Sequence, residues 1–213
     1  MQFKEFGKIP RLYRRVTISE KIDGTNAAVG IEDDLLGQWE TGSVLGEGVV
    51  VNVDPARSWL VYAQSRNRII TPEQDNHGFA RWVRENATEL AIVLGTGLHF
   101  GEWWGSGIQR GYGLQKGEKR FSLFNTKRWT PNGENALADG SEALKGLGVV
   151  PVIYDGMYDE SIVAESLHIL ETLGSKAAPG FFRPEGIIIY HTAGGYYTKV
   201  TFNGDGNKGM DGR

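Results

Sequence analysis

From Val16 to Glu20 apolar and polar residues alternate, which predicts a strand, and Ala27 to Ile31 reads as a second one. Between them lies a short turn holding Lys21, Asp23 and Gly24. Leu60 to Gln64, Leu98 to Trp104 and Arg120 to Asn125 are further strand candidates. Thr71-Pro72-Glu73-Gln74 has the form of a capping box with proline in the first turn. A helix carrying Phe79, Trp82, Val83, Leu90 and Leu94 on one stripe is expected after it. A second helix is expected over Asp159 to Leu173, where Ile162, Val163, Leu167, Leu170 and Leu173 recur at helical spacing and Gly174 is the stop. Gly186 to Tyr190 and Tyr196 to Phe202 form an expected hairpin around Ala193-Gly194-Gly195. The pattern predicts an α+β chain, mainly antiparallel sheets with flanking helices.

Composition narrows the class. A 213-residue chain with 40% hydrophobic residues suits one globular domain, and its 30 glycines favour strands and turns over a helical bundle. The absence of cysteine excludes disulfides, zinc ribbons and thiol chemistry. Four histidines without metal-ligand spacing argue against a histidine-built metal centre. No apolar run spans a membrane and no signal-peptide core opens the chain, so a cytoplasmic, soluble protein is expected. A net charge of −3 excludes a strongly basic nucleic-acid coat; strand contact would need a local basic cleft. Arg11, Arg14 and Arg15 near the start, and Arg110, Lys116, Lys119, Arg120, Lys127 and Arg128, are candidates for it, and a solvated face is the plain alternative. The Gly-rich stretch from Trp103 to Lys119 reads as a lid or substrate loop. A loose tail is expected over 204–213.

Candidate chemistry begins with Glu20-Lys21-Ile22-Asp23-Gly24-Thr25-Asn26. Alone it is a charged hairpin turn with Asp-Gly at its tip. Phe100-Gly101-Glu102-Trp103 then sets a carboxylate in an aromatic strand. Arg120-Phe121-Ser122-Leu123-Phe124-Asn125 is an aromatic strand flanked by charge. Pro184-Glu185-Gly186-Ile187-Ile188-Ile189 opens a very apolar strand with a second carboxylate, and Tyr197-Thr198-Lys199-Val200 puts a lysine in the last strand. Each segment is ordinary by itself: a strand-end Glu is usually a solvated rim residue and a strand Lys usually faces water.

Their order is less ordinary. KxDG, FGE, an aromatic strand, EGIII and a strand lysine resemble the motif series of the covalent nucleotidyltransferases, the DNA ligases, RNA ligases and capping enzymes, from Lys21 to Lys199. Glu20-Lys21 followed by Asn26, with Ser65-Arg66-Asn67-Arg68 after a strand, looks most like the RNA ligase 2 type, which includes phage and trypanosome editing enzymes. The resemblance implies an ATP-grasp-like adenylyltransferase domain over 1–213. Because about a dozen residues follow Lys199, it also carries the expectation of neither an OB-fold nor a sizeable C-terminal domain.

It further implies ATP with Mg2+ or Mn2+, and nicked or broken RNA or an RNA/DNA hybrid as the partner, with an accessory strand-binding protein as a possible helper. Lys21 would be the nucleophile, and its amine must be neutral to attack, against a lysine pKa of roughly 10.4. Partial burial and nearby cations would favour loss of that proton. Lys199 would contact the α-phosphate and Arg66 a phosphate, with Arg68 as competitor. Glu20 would present its backbone to the adenine edge, Asn26 would orient ribose or α-phosphate, and Glu102 would take the ribose hydroxyls. Glu185 would hold the metal. Phe124 would stack on adenine, or Phe121 would, since residues three apart in a strand face opposite ways. Relatives carry two lysines flanking one residue in the last motif; Lys199-Val200-Thr201 has one, with Lys208 or Arg213 in the tail as the nearest substitutes. A small DNA ligase and a non-catalytic nucleotide- or RNA-binding relative are the alternatives.

Overall fold

Period-two apolar patterning builds most of the chain into strands. The structure, a computed structural model, describes residues 3–35, 37–54, 57–129 and 144–203. The tail at 204–213, with Lys208 and Arg213, lies outside them. Among the described residues twelve strands occur in chain order: β1 Arg15–Lys21, β2 Thr25–Asp33, β3 Val44–Leu45, β4 Gly48–Asp54, β5 Arg57–Ser65, β6 Ile69–Ile70, β7 Gly97–Gly105, β8 Lys119–Leu123, β9 Leu147–Val149, β10 Val152–Met157, β11 Gly186–His191 and β12 Tyr196–Thr201. Three α-helices accompany them: α1 Phe79–Glu85, α2 Ala87–Leu94 and α3 Glu160–Leu173. Among these strands every pairing is antiparallel except β8 with β9, so the expected α+β architecture, mainly antiparallel, is present.

The chain divides into two compact units, one of Met1–Ile22 with Pro151–Arg213 and one of Asp23–Val150. Unit 1 has a four-stranded sheet in the order β10-β1-β11-β12. Val16, Ile18, Ile187 and Ile189 bury one face of it against Leu170 of α3. Asp159 caps α3 by accepting a hydrogen bond from the Ser161 amide at 2.8 Å. Unit 2 has a larger sheet in the order β3-β4-β5-β2-β7-β8-β9, with β6 added on β5. Ala27, Val29, Ile31, Trp103, Phe121 and Leu123 turn one face toward α1 and α2, where Phe79, Leu90 and Leu94 close the core. Full burial of a side chain such as Phe79 contributes about 2–3 kcal/mol.

The helical stripe from Phe79 to Leu94 is two helices rather than one. Asn86 breaks it at φ −116° and ψ 20°, and its side-chain amide donates to the Trp82 carbonyl at 2.7 Å, competing with the helical backbone. The Thr71-Pro72-Glu73-Gln74 segment opens a short 3₁₀ turn, Pro72–Gln74, without a side-chain cap. Asp75 does the capping of α1, accepting from the Ala80 and Arg81 amides at 2.7 and 3.2 Å. The strands β4 and β10 carry their own signals, the β-branched run Val49-Val50-Val51 and the apolar start Val152-Ile153-Tyr154.

Candidate functional site

Strand register sorts the candidate residues onto two sheet faces. On unit 1, Lys21 pairs with Gly186, which pairs with Thr201; Ser19 pairs with Ile188, which pairs with Lys199. Directly paired residues share a face, and so do residues two apart, so Lys21, Lys199 and Thr201 lie on one face. That face is opposite the one packed on α3. Lys199 is two residues back from the Lys21 row and Thr201 is level with it.

Glu185, at the entrance to β11, reaches Lys21: its carboxylate accepts from the Lys21 amine at 2.5 Å, with the two side chains only 21% and 18% exposed. Gly186, next in the chain, is where β11 passes close to the backbone of β12. A Cβ there would lie 2.1 Å from the Val200 carbonyl oxygen, and its φ of +153° also favours glycine.

Glu20 points the other way. Its side chain is 1% exposed and is clasped by three donors: the Ser175 hydroxyl at 2.6 Å and the Lys176 and Ala177 amides at 2.8 and 3.0 Å. Burial pushes its carboxyl above the ordinary value, while the hydrogen bonds from Ser175, Ala177 and Lys176 pull it back part of the way. The Glu20 amide donates to the Pro151 carbonyl at 2.9 Å. Glu20 thus ties the end of β1, one residue before Lys21, to the segment that follows α3.

On unit 2, Asn26 pairs with Glu102, and Glu102 with Ser122. These three form a row on the face away from the core. Arg66 follows Ser65, the partner of Ala27, and so stands at the sheet end beside Asn26. Phe124 donates its amide to the Phe100 carbonyl at 2.9 Å, one row along from Glu102, and is half-buried. Phe121 is fully buried among Phe79 and Trp82 and belongs to the core. Arg68 is tied to Gln74 by a 2.8 Å hydrogen bond, whereas Arg66 is exposed at the turn.

The turn after Lys21 is pinned within unit 2. The Gly24 amide donates to Glu102 at 3.1 Å, and the Asp23 amide to the Tyr112 hydroxyl at 2.8 Å. Arg110 makes an ion pair with Asp23 at 2.8 Å. A Cβ on Gly24 would meet the Trp103 carbonyl oxygen at 2.5 Å, so this close approach requires glycine. The stretch read as a lid is therefore anchored at its middle: Tyr112 is buried and packs edge-on against Trp104. Its signal in the sequence was slight, a lone Arg110 and Tyr112 among glycines.

Most of the basic candidates for strand contact already have structural tasks. Arg120 pairs with Glu118 and lies over Trp104. Arg128 donates to the Leu94 carbonyl and stacks on Trp129, and Lys119 donates to the His77 carbonyl.

Among the described residues no group of three or more acidic or imidazole side chains gathers as a metal cage, and no helix is long and apolar enough to cross a membrane. A hard divalent cation such as Mg2+ needs no cage, because one or two carboxylates with phosphate oxygens and water suffice. The half-buried Glu185 carboxylate fits that requirement.

The family model described as RNA ligase matches residues 14–201, and the chain belongs to the RNA ligase family. A search of curated proteins gives no match. Among solved structures, the chain resembles a Naegleria gruberi RNA ligase lysine-to-methionine mutant with AMP and Mn, at 17% identity and a TM-score of 0.51, covering 90% of this chain and 51% of that one. A glutamate-to-alanine mutant of that ligase with ATP and Mn matches at 16% identity and a TM-score of 0.54, covering 89% and 50%. The chain spans about half the length of these structures, and the likeness is one of fold.

Proposed function

We propose that the chain is an ATP-dependent RNA ligase domain that works through a lysyl-AMP intermediate. The Lys21 amine attacks the α-phosphorus of ATP, an N–P bond forms, and pyrophosphate leaves. AMP then passes to the 5′-phosphate of an RNA end, freeing Lys21. Attack of a 3′-hydroxyl on that activated phosphate forms the phosphodiester and releases AMP. The family match supports the reading, and the observation that carries it is Lys21 at the end of β1, paired with Glu185 and sharing a face with Lys199.

In this reading Lys199 neutralises α-phosphate charge that grows in the transition state. Glu185 first orients the Lys21 amine and is the residue to hold Mg2+ or Mn2+, which supplies charge neutralisation at the phosphates. Asn26 orients ribose or the α-phosphate, Glu102 accepts from the ribose hydroxyls, Phe124 stacks on adenine, and the backbone at Glu20 reads its edge. Arg66 binds a phosphate, that of ATP or of the RNA 5′ end. The Naegleria structures with ATP or AMP and Mn support the choice of nucleotide and metal.

Incubation with α-labelled ATP and magnesium, then denaturing electrophoresis, tests the proposal. A labelled band that acid but not alkali removes, absent in Lys21→Ala, is expected. No label in the wild-type chain would overturn it. Nicked duplexes with RNA or DNA on the 3′-hydroxyl side then separate RNA from DNA sealing.

A further inference from the structure

The face of unit 1 that carries Lys21 and Lys199 continues into an aromatic platform. Tyr190 of β11 and Tyr197 of β12 are direct partners across the hairpin, with ring centroids 4.7 Å apart and planes at 34°. Tyr197 is 58% exposed although it is a large ring on a sheet. Both are on the Lys21 face, since Tyr197 and Lys199 are two apart and so are Tyr190 and Ile188, the partner of Lys199. Four residues of strand separate the tyrosine row from the Lys21 row, about 13 Å at the usual rise, with Lys199 halfway. β12 is the edge of its sheet, so this end of the face is open alongside. The neighbouring acid is already neutralised: Tyr190 pairs with Thr17, which pairs with Asp155, and Asp155 holds an ion pair with Arg15 at 2.7 Å.

An exposed aromatic surface next to a cation is what single-stranded nucleic acid uses, with bases stacked on rings and the backbone tracked by positive charge. A pair fixed by strand register offers a flat surface at little entropic cost. We infer that the Tyr190–Tyr197 platform stacks a base of a single-stranded RNA end, on the face that carries Lys199 and Lys21. This rests on the RNA ligase reading for the direction of the strand, while the binding itself is testable alone. Stacking of this kind has no sequence preference.

The test is fluorescence anisotropy of labelled RNA hexamers of differing sequence with the full chain, without ATP, for wild type, Tyr197→Ala and Tyr197→Phe. Tyr197→Ala should weaken binding about tenfold or more, in line with the measured cost of removing one stacking ring. Tyr197→Phe should stay within about twofold, and a hexamer carrying 5-iodouridine should crosslink to the peptide containing Tyr197. Unchanged affinity in Tyr197→Ala overturns the inference, and so does a wild-type dimer that Tyr197→Ala dissolves, because the rings would then face a second copy. Labelling of Lys21 by ATP, measured separately, decides the ligase reading. A chain that takes the label but binds RNA equally well without the ring refutes only the platform. A chain that takes no label but loses RNA on Tyr197→Ala refutes only the ligase.

Discussion

The two sheet faces differ in what stands behind them. Behind the unit 2 row of Asn26, Glu102 and Ser122 is a large core of Phe79, Trp103, Phe121 and their neighbours. Behind the Lys21 face of unit 1 is a small one, Val16, Ile18, Ile187 and Ile189 on Leu170. The unit 2 face presents a polar row, Asn26, Glu102 and Ser122, over the larger core. The unit 1 face presents charged side chains, Lys21 and Lys199, with Glu185 held on Lys21. The contrast is one of support: a broad apolar core stands behind one polar row and a narrow one behind the other.

Lys21→Ala is the most severe way to break the comparison. It should abolish AMP labelling on gels while leaving the unit 2 core and the melting temperature unchanged. Next come the two carboxylates. Glu185→Ala and Glu102→Ala should each slow adenylate formation by about a hundredfold in rapid-quench assays. Glu102→Ala alone should also cost about 1–2 kcal/mol in urea unfolding, because the Gly24 amide loses its acceptor.

The glycines sharpen the contrast. Gly24→Ala in unit 2 and Gly186→Ala in unit 1 both force a Cβ onto a backbone oxygen. Each should lower stability by about 1–3 kcal/mol in thermal or urea unfolding.

Glu20 gives a pH signature. Its folded pKa is raised by burial, so the neutral carboxyl is favoured in the native state. The stability it adds is full below the unfolded value, near pH 4.5, and declines as pH rises through the raised folded value. Unfolding free energies of wild type minus Glu20→Gln should therefore fall from pH 4.5 toward pH 7. A flat difference would contradict the assignment. The smallest effect is expected for Phe124→Leu, a rise of about fivefold in the ATP KM for adenylation with kcat little changed.

Much of the local structure was legible. The alternation of Val16 to Glu20 gives β1, and the helical spacing from Ile162 to Leu173 gives α3 with Asp159 as its cap. The Phe79 to Leu94 stripe did not show its break, because Asn86 is permitted in a helix until its side chain finds the Trp82 carbonyl. The Gly-rich stretch after Trp103 did not show its anchors either, since neither the Tyr112 hydroxyl nor Arg110 reveals a partner some ninety residues earlier.

The amino-acid sequence by itself determined β1, β2, β5, β7, β8, β11, β12, α3 and the motif order that points to a nucleotidyltransferase, because side-chain period and turn residues act over a few positions. Tertiary structure alone decided that Phe121 is core while Phe124 is half-exposed, that Arg68 is tied while Arg66 is not, and that Glu20 turns inward as Lys21 turns out. It alone brought Glu185 to Lys21 across 164 positions. Pairing over such distances is set by which register buries the apolar face, and a one-residue slip would send every side chain of the strand to the other side.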